Sequence, residues 1–223
     1  MTQSAERTEP APGGRSALLL GATGLVGGYV LAEALAAGYG RVAVLGRRKL
    51  AQTDPRVEQH VVEDLGRMAE HAEAFRVDDV FCCLGTTLRA AGSREAFRRV
   101  DHDHVLESAR LAAEQGAKRY LLVTAMGAEA GSRVFYNRVK GEVEDAVRAL
   151  PLPYVVVLRP SLILGPRPER RPAEAMAQRV APALNAVLVG PLRKYRAVEA
   201  RTVARAMVRL AFEDGAGVRV VES

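Results

Sequence analysis

Residues 17–28 read ALLLGATGLVGG. A short apolar run enters a turn with glycines at 21, 24 and 27, a GxxGxxG spacing. From Leu25 to Ala37 the pattern is helical, and Gly38 offers a C-cap. Strand, glycine turn and helix in direct succession form a cradle for the pyrophosphate of a dinucleotide. Gly21 permits the tight turn, Gly24 lets backbone approach the phosphates, and Gly27 lets helix and strand pack closely. The helix N-terminus adds free N–H groups and the positive end of its dipole. A glycine turn that serves packing alone is the competing account, and the flanking strand and helix weigh against it. The stretch also mimics a signal peptide or membrane span, since residues 17–38 carry one charge, Glu33, and Arg15 precedes them. Its glycines and its carboxylate argue against both.

Further apolar runs follow at 42–45, 60–62, 80–84, 120–124 and 154–158. Helical patterns lie between them at 93–115, closed by Gly116, and at 135–150, stopped by Pro151. The stronger runs are apolar throughout rather than alternating, as strands buried on both faces require. This rhythm predicts an α/β, Rossmann-like fold: a doubly wound parallel sheet flanked by helices. Beyond Pro160 it breaks. Residues 165–172 read GPRPERRP, followed by helical patterns at 173–187 and 198–212 and a last strand over 218–221. We expect a disordered tail over residues 1–15 and one domain over 16–223, with a small helical substrate region at about 160–200. No internal repeat is present.

The chain has 223 residues, 48% hydrophobic and 26% charged, which excludes general disorder and supplies a real core. Its net charge of +6 admits polyanionic partners. The basic residues are nearly all Arg and scattered, and there is no Trp, so a nucleic-acid surface is not expected. The two cysteines are adjacent, Cys82 and Cys83, and form neither a disulfide framework nor a zinc motif. They read as core packing in a reducing compartment, the cytoplasm. His102 and His104 form an HxH run. Helix positions i and i+2 do not share a face, so no metal site is expected there or elsewhere. Arg167, Arg170 and Arg171 read as a solvated loop, with an anion clasp as the alternative.

Cofactor choice is read at the end of the second strand. NAD sites usually place an acid there, to bond the ribose 2′-OH. Here Leu45 leads into Gly46-Arg47-Arg48-Lys49, with no acid. Guanidinium groups suit a 2′-phosphate, so NADP(H) is favoured over NAD(H), with mixed use as the alternative. Asp64 and Leu65, after the third run, are placed to contact the adenine.

Tyr136 and Lys140 form a YxxxK pair on one helix face. A tyrosine hydroxyl with pKa about 10 is a poor base at neutral pH. A nearby ammonium stabilises the phenolate, which makes the pair a general acid/base for an alcohol or carbonyl oxygen. Lys140 can also reach a cofactor ribose. A surface Tyr and Lys on an amphipathic helix is the plain alternative. Thr124, at the end of the preceding strand, is a third candidate, its hydroxyl holding the substrate oxygen near Tyr136.

The glycine turn, Tyr136/Lys140 and Arg159-Pro160 resemble the short-chain dehydrogenase/reductase superfamily. The segments CCLGTT at 82–87, VDHD at 100–103, Gly127-Ala128 and YNRVKGEV at 136–143 resemble its atypical Tat-interacting-protein-like branch. The resemblance spans about residues 16 to 212. It implies sheet order 3-2-1-4-5-6-7 and an NADPH preference. It places Gly21, Thr23, Gly24, Leu25 and Val26 on the pyrophosphate, and Arg47 and Arg48 on the 2′-phosphate. Leu84, Gly85 and Thr86 then lie along the cofactor, and Pro160 to Ile163 beside the nicotinamide. Two departures stand out. The superfamily usually has Ser where this chain has Thr124, and often Asn where it has Asp101.

These readings point to an NADP(H)-dependent oxidoreductase acting on a small molecule of unknown identity. The alternative is an NADPH-binding sensor or scaffold that works through a protein partner without turnover. No membrane or nucleic-acid partner is expected, and the chain is expected to be a monomer or homodimer.

Overall fold

The computed structural model describes residues 14–165 and 195–223. Seven strands form one parallel sheet. They are β1 (Ser16–Leu20), β2 (Arg41–Gly46), β3 (Val57–Val61), β4 (Asp79–Cys82), β5 (Arg119–Val123), β6 (Tyr154–Arg159) and, last in the chain, β9 (Gly217–Glu222). A separate parallel pair joins β7 (Ile163–Leu164) to β8 (Val198–Glu199). The helices are α1 (Leu25–Ala36), α2 (Leu88–Ala91), α3 (Arg94–Arg98), α4 (His104–Glu114), α5 (Phe135–Arg148) and α6 (Ala200–Ala211). The sheet order is β3-β2-β1-β4-β5-β6-β9, the order expected from the resemblance. Succession reverses between β1 and β4. In such sheets the crevice at the carboxyl ends of those strands is where a ligand binds.

Alternation along each buried strand divides the core in two. Leu18 and Leu20 of β1 face one side, with Met68, Phe75, Val105, Leu111, Val143 and Val147. Ala17 and Leu19 face the other, with Val30, Leu31 and Ala34 of α1 and Val203, Ala204 and Met207 of α6. Both faces are covered, which is why these strands read as apolar runs rather than alternating ones.

Several expected boundaries move. Of the tail expected over 1–15, residues 1–13 lie outside the described residues, while Gly14 and Arg15 belong to the fold. Arg15 pairs through its guanidinium with the fully buried Asp79, which also accepts the Tyr39 hydroxyl at 2.6 Å. The helix expected over 93–115 is three pieces: α3, a π-helical turn at Arg99–Asp103, and α4. Leu65–Phe75 forms 3₁₀ turns, with non-helical backbone at Arg67 and His71, and α2 is one short turn; neither has a clear apolar period. The helix expected over 198–212 begins two residues later, because Val198 and Glu199 pair with β7. The loop and helix expected over 166–187, and most of the substrate region, lie outside the described residues. Among the described residues no helix is long and apolar enough to cross a membrane.

At the amino ends of the central strands, Asp78 accepts the Ser16 N–H and hydroxyl at 2.9 Å each, and Lys118 Nζ at 2.7 Å. Burial pushes this carboxyl up, but those partners outweigh it and bring its pKa down to about 2. A carboxylate depressed by folding contributes stability that is full above its unfolded pKa of about 4 and lost as pH falls through about 2. We predict that Asp78→Asn lowers stability by about 1 kcal/mol at pH 7 and flattens the acid arm of the melting-temperature profile between about pH 4 and 2. An acid arm identical to that of the unsubstituted protein refutes this assignment.

Candidate active site

The turn after β1 is shaped by backbone contacts that exclude side chains. Gly21 has φ +83, and a Cβ there would sit 2.5 Å from the Cys83 carbonyl oxygen. A Cβ on Gly27 would sit 2.2 Å from the Gly21 carbonyl oxygen. The Gly24 N–H closes the turn on the Gly21 carbonyl at 2.9 Å. Gly24 then caps α1 without a side-chain hydrogen bond, and the first turn of α1 holds no acid. The helix thus presents uncapped N–H groups with no carboxylate to compete for them, which fits a bound phosphate.

This turn forms one end of a groove of about 260 Å³ at the crevice between β1 and β4. Gly21, Thr23 and Gly24 line it, with Arg47 and Arg48 after β2, Asp64 and Leu65 after β3, and Leu84 and Gly85 after β4. All nine were expected from the sequence. Arg47 and Arg48 make no close ion pair among the described residues, although Arg47 is near enough to Asp64 to help hold its pKa down. Asp64 differs in detail. Its Oδ1 accepts the Gly66 N–H at 2.9 Å, which holds its pKa below the usual carboxylate range and caps the 3₁₀ turns.

Leu25, Val26, Thr86, Lys140 and Pro160 were also expected at the cofactor, and they do not line the groove. Leu25 lies against Gly165, where an added Cβ would meet its Cδ1 at 2.9 Å. The Pro160 carbonyl accepts the Met126 N–H at 2.9 Å, tying β6 to the loop after β5. The Thr86 N–H donates to Asp101 at 2.8 Å. Lys140 stands just behind the wall: a Cβ on Gly85 would lie 3.6 Å from its Nζ and 3.4 Å from Asp101 Oδ1. Val100, Cys83 and His104 line the groove without having been anticipated. Val100 lies in the π-helical turn and His104 directly follows it. A π turn shifts the helix register in a way that no apolar period encodes.

Lys140 and Asp101 form a buried ion pair, Nζ to Oδ1 at 2.8 Å. Burial pulls the Lys140 pKa down, but Asp101 and Tyr136 more than offset it and leave it above the ordinary lysine value. Burial raises the Asp101 carboxyl against the pull of Lys140 and of the Thr86 N–H. Tyr136 lies one turn before Lys140 on α5, its ring 5.4 Å from that of Phe97. Its hydroxyl has no hydrogen-bond partner among the described residues. Position along α5 is set by Gly141, where a Cβ would fall 2.1 Å from backbone atoms of Glu129 and Ala130. The loop after β5 therefore rests directly on the helix beside Lys140.

Thr124 does not match its expected role. It is buried, and its hydroxyl donates to Glu144 Oε1 at 2.6 Å. A hydroxyl has one proton to donate, so this one is not directed at a substrate oxygen. Glu144 is itself fully buried and is held by Arg159 at 2.6 Å and Arg148 at 2.7 Å. The partner that holds the hydroxyl in this structure is a buried acid four residues after Lys140 on the same helix.

Fold and groove together define a dinucleotide-binding protein of the Rossmann class. A family model described as NAD(P)H-binding matches residues 21–214. Rat Protein HTATIP2 is 42% identical over 170 residues, covering 74% of this chain and 69% of that protein. Protein fmp52-1, mitochondrial, of Aspergillus terreus is 34% identical over 213 residues, covering 93% and 89%. Among solved structures, the Bordetella bronchiseptica enzyme WbmH in complex with NAD+ has a TM-score of 0.71 at 14% identity, covering 94% of this chain and 75% of that one. UDP-glucose 4-epimerase of Thermotoga maritima with UDP-glucose gives 0.69 at 18%, covering 93% and 77%. At those identities the structural likeness is one of fold. The chain belongs to the NAD(P)H-binding family, as an atypical member of the short-chain dehydrogenase/reductase superfamily. Its cofactor is accordingly a nicotinamide dinucleotide.

Two outcomes test this geometry. Gly27→Ala forces α1 away from β1 and is expected to cost about 3 kcal/mol and abolish dinucleotide binding, read by thermal melting and calorimetry. Thr124→Val removes a hydrogen bond to a buried charge and is expected to cost about 2 kcal/mol, with dinucleotide affinity unchanged within twofold. Unaltered melting in Thr124→Val contradicts the Glu144 assignment.

Proposed function

We propose that the protein is an NADP(H)-dependent oxidoreductase that interconverts a carbonyl and an alcohol on a small molecule. The observation that carries the reading is the buried Lys140 ammonium behind Gly85 at the groove wall, with Tyr136 one turn away on the same helix. When bound, a nicotinamide cofactor would supply or accept the hydride. The remaining chemistry belongs to the chain. The α1 N-terminus and the 21–24 turn hold the pyrophosphate. Arg47 and Arg48, which line the groove, hold a 2′-phosphate by charge-assisted hydrogen bonds. In the reductive direction Tyr136 would give its hydroxyl proton to the substrate oxygen. In the oxidative direction it takes that proton back. Lys140 remains charged and stabilises the phenolate between the two. Asp101 holds Lys140 in place behind Gly85. The two free cysteines fit a reducing compartment, the cytoplasm in this reading.

A second reading has one observation in its favour. With the Thr124 hydroxyl turned to Glu144, no side chain on β5 is available to hold a substrate oxygen beside Tyr136. In that reading the protein binds NADPH and acts through a protein partner, without turnover.

The deciding experiment measures NADPH and NADH affinity by calorimetry, and carbonyl reduction across a substrate panel. Tighter NADPH binding is expected, and Arg47→Ala should weaken NADPH at least tenfold while changing NADH less than twofold. Equal losses for both cofactors overturn the 2′-phosphate assignment. Tyr136→Phe should lower kcat/KM at least a hundredfold with NADPH affinity within twofold of the unsubstituted protein. Undiminished turnover in that variant overturns the mechanism. Tight NADPH binding with no reduction of any carbonyl selects the second reading.

A further inference from the structure

Away from the groove, the edge strand β3 and the 3₁₀ turns that follow it bring together three side chains the chemistry above does not use. His60 lies on β3, and His71 and Glu73 lie on Leu65–Phe75. One ligand atom from each lies within 4.8 Å of the other two. The imidazole rings stand 5.5 Å apart between centroids, inclined at 71°. His71 Nδ1 is 3.9 Å from Glu73 Oε1.

Residues two apart on a regular helix point to different sides. Here the backbone leaves helical geometry at His71, with φ −119 and ψ 35, and the two side chains converge. His60 is anchored from the strand side. Its Nε2 is buried without a well-aligned hydrogen bond, 3.0 Å from Glu58 Oε1. Glu58 is two residues earlier on the same face of β3, and its other oxygen receives Arg41 at 2.7 Å. A buried imidazole nitrogen whose near acceptor Glu58 is poorly aligned, a second imidazole across from it and an exposed carboxylate 3.9 Å from that second ring are an incomplete polar cluster. A cation completes it.

We propose that His60, His71 and Glu73 bind a divalent late transition-metal ion, with zinc the best match. Imidazole donors favour zinc and its neighbours, whereas magnesium and calcium take oxygen ligands. Two neutral imidazoles and a carboxylate leave a fourth position for water, the ligand count of an open zinc site. Zinc–ligand bonds of about 2.0–2.1 Å in a tetrahedron place donors about 3.3 Å apart, so no pair needs to close by more than about 1.5 Å on binding. Glu73, with its side chain 61% exposed, is free to make that movement. Spacing along the chain concealed the site, because its two histidines lie on different elements and are joined only by the fold. The ion pins the sheet edge to the segment that begins with Asp64 and Leu65 in the groove wall.

The test is calorimetric titration of zinc into the full chain stripped of metal with a chelator, together with zinc-dependent hydrogen exchange. One equivalent is expected to bind, with new protection in residues 57–61 and 65–75. His71→Ala and Glu73→Gln should each weaken binding at least tenfold, with melting temperature unchanged in the absence of zinc. His102→Ala should bind as the unsubstituted protein does, and magnesium should not compete. Absence of zinc binding, affinity retained in both site variants, or protection that appears elsewhere overturns the proposal. NADPH affinity measured on the metal-free protein keeps this outcome separate from that of the nucleotide site.

Discussion

A Cβ on Gly27 would lie 2.2 Å from the carbonyl oxygen of Gly21, and most of the molecule's architecture depends on that contact being backbone against backbone. It sets how closely α1 lies along β1. That distance places the α1 N-terminus over the crevice where strand order reverses. It also lets the opposite side of α1 meet α6, where Glu33 receives Arg201 at 2.8 Å and Arg205 at 3.2 Å. The positive φ at Gly21 works alongside it. The turn comes so close to the end of β4 that only glycine avoids the Cys83 carbonyl. One local constraint thus governs the helix-to-sheet distance, the phosphate cradle and the packing of the second helical layer.

The other ordering influence is buried charge, arranged in two networks along α5. Lys140 meets Asp101 on the groove side, and Glu144, one turn on, meets Thr124, Arg148 and Arg159. Buried ion pairs contribute little net stability against well-packed apolar groups, yet breaking one leaves a charge stranded at a cost of several kcal/mol. Their effect is to specify position. The first network holds the ammonium behind Gly85. The second joins α5 to the ends of β5 and β6, so that the loop resting on Gly141 is tied at both ends. The orientation of Tyr136 follows from helix and loop together.

Legibility in the sequence followed the range of the interaction. The glycine turn, the seven main strands, α1, α5 and the cations Arg47 and Arg48 were readable because each depends on neighbours a few residues away. The 3₁₀ turns at Leu65–Phe75 were not, since a short capped turn with a mixed surface has no period to detect. The hydrogen-bond partner of Thr124 was not legible, for a different reason. A threonine at a strand end before a Tyr/Lys helix has the right address for substrate contact, and nothing local reveals that Glu144 reaches it first.

The sequence by itself determined the class of protein: a parallel α/β sheet with a dinucleotide turn, two arginines without a competing acid, and a Tyr/Lys pair on one helix face. All of these rest on local backbone preference or on helix and strand periodicity. Tertiary structure alone decided which polar groups meet. It turned Asp101 inward through a π turn to meet Lys140, moved the Thr124 proton to Glu144, drew Arg15 into the fold on Asp79, and set His60 opposite His71. The physical reason is that partners for buried polar groups are chosen by proximity after the chain has folded, across separations of 11 to 64 residues in these cases, where sequence pattern carries no signal.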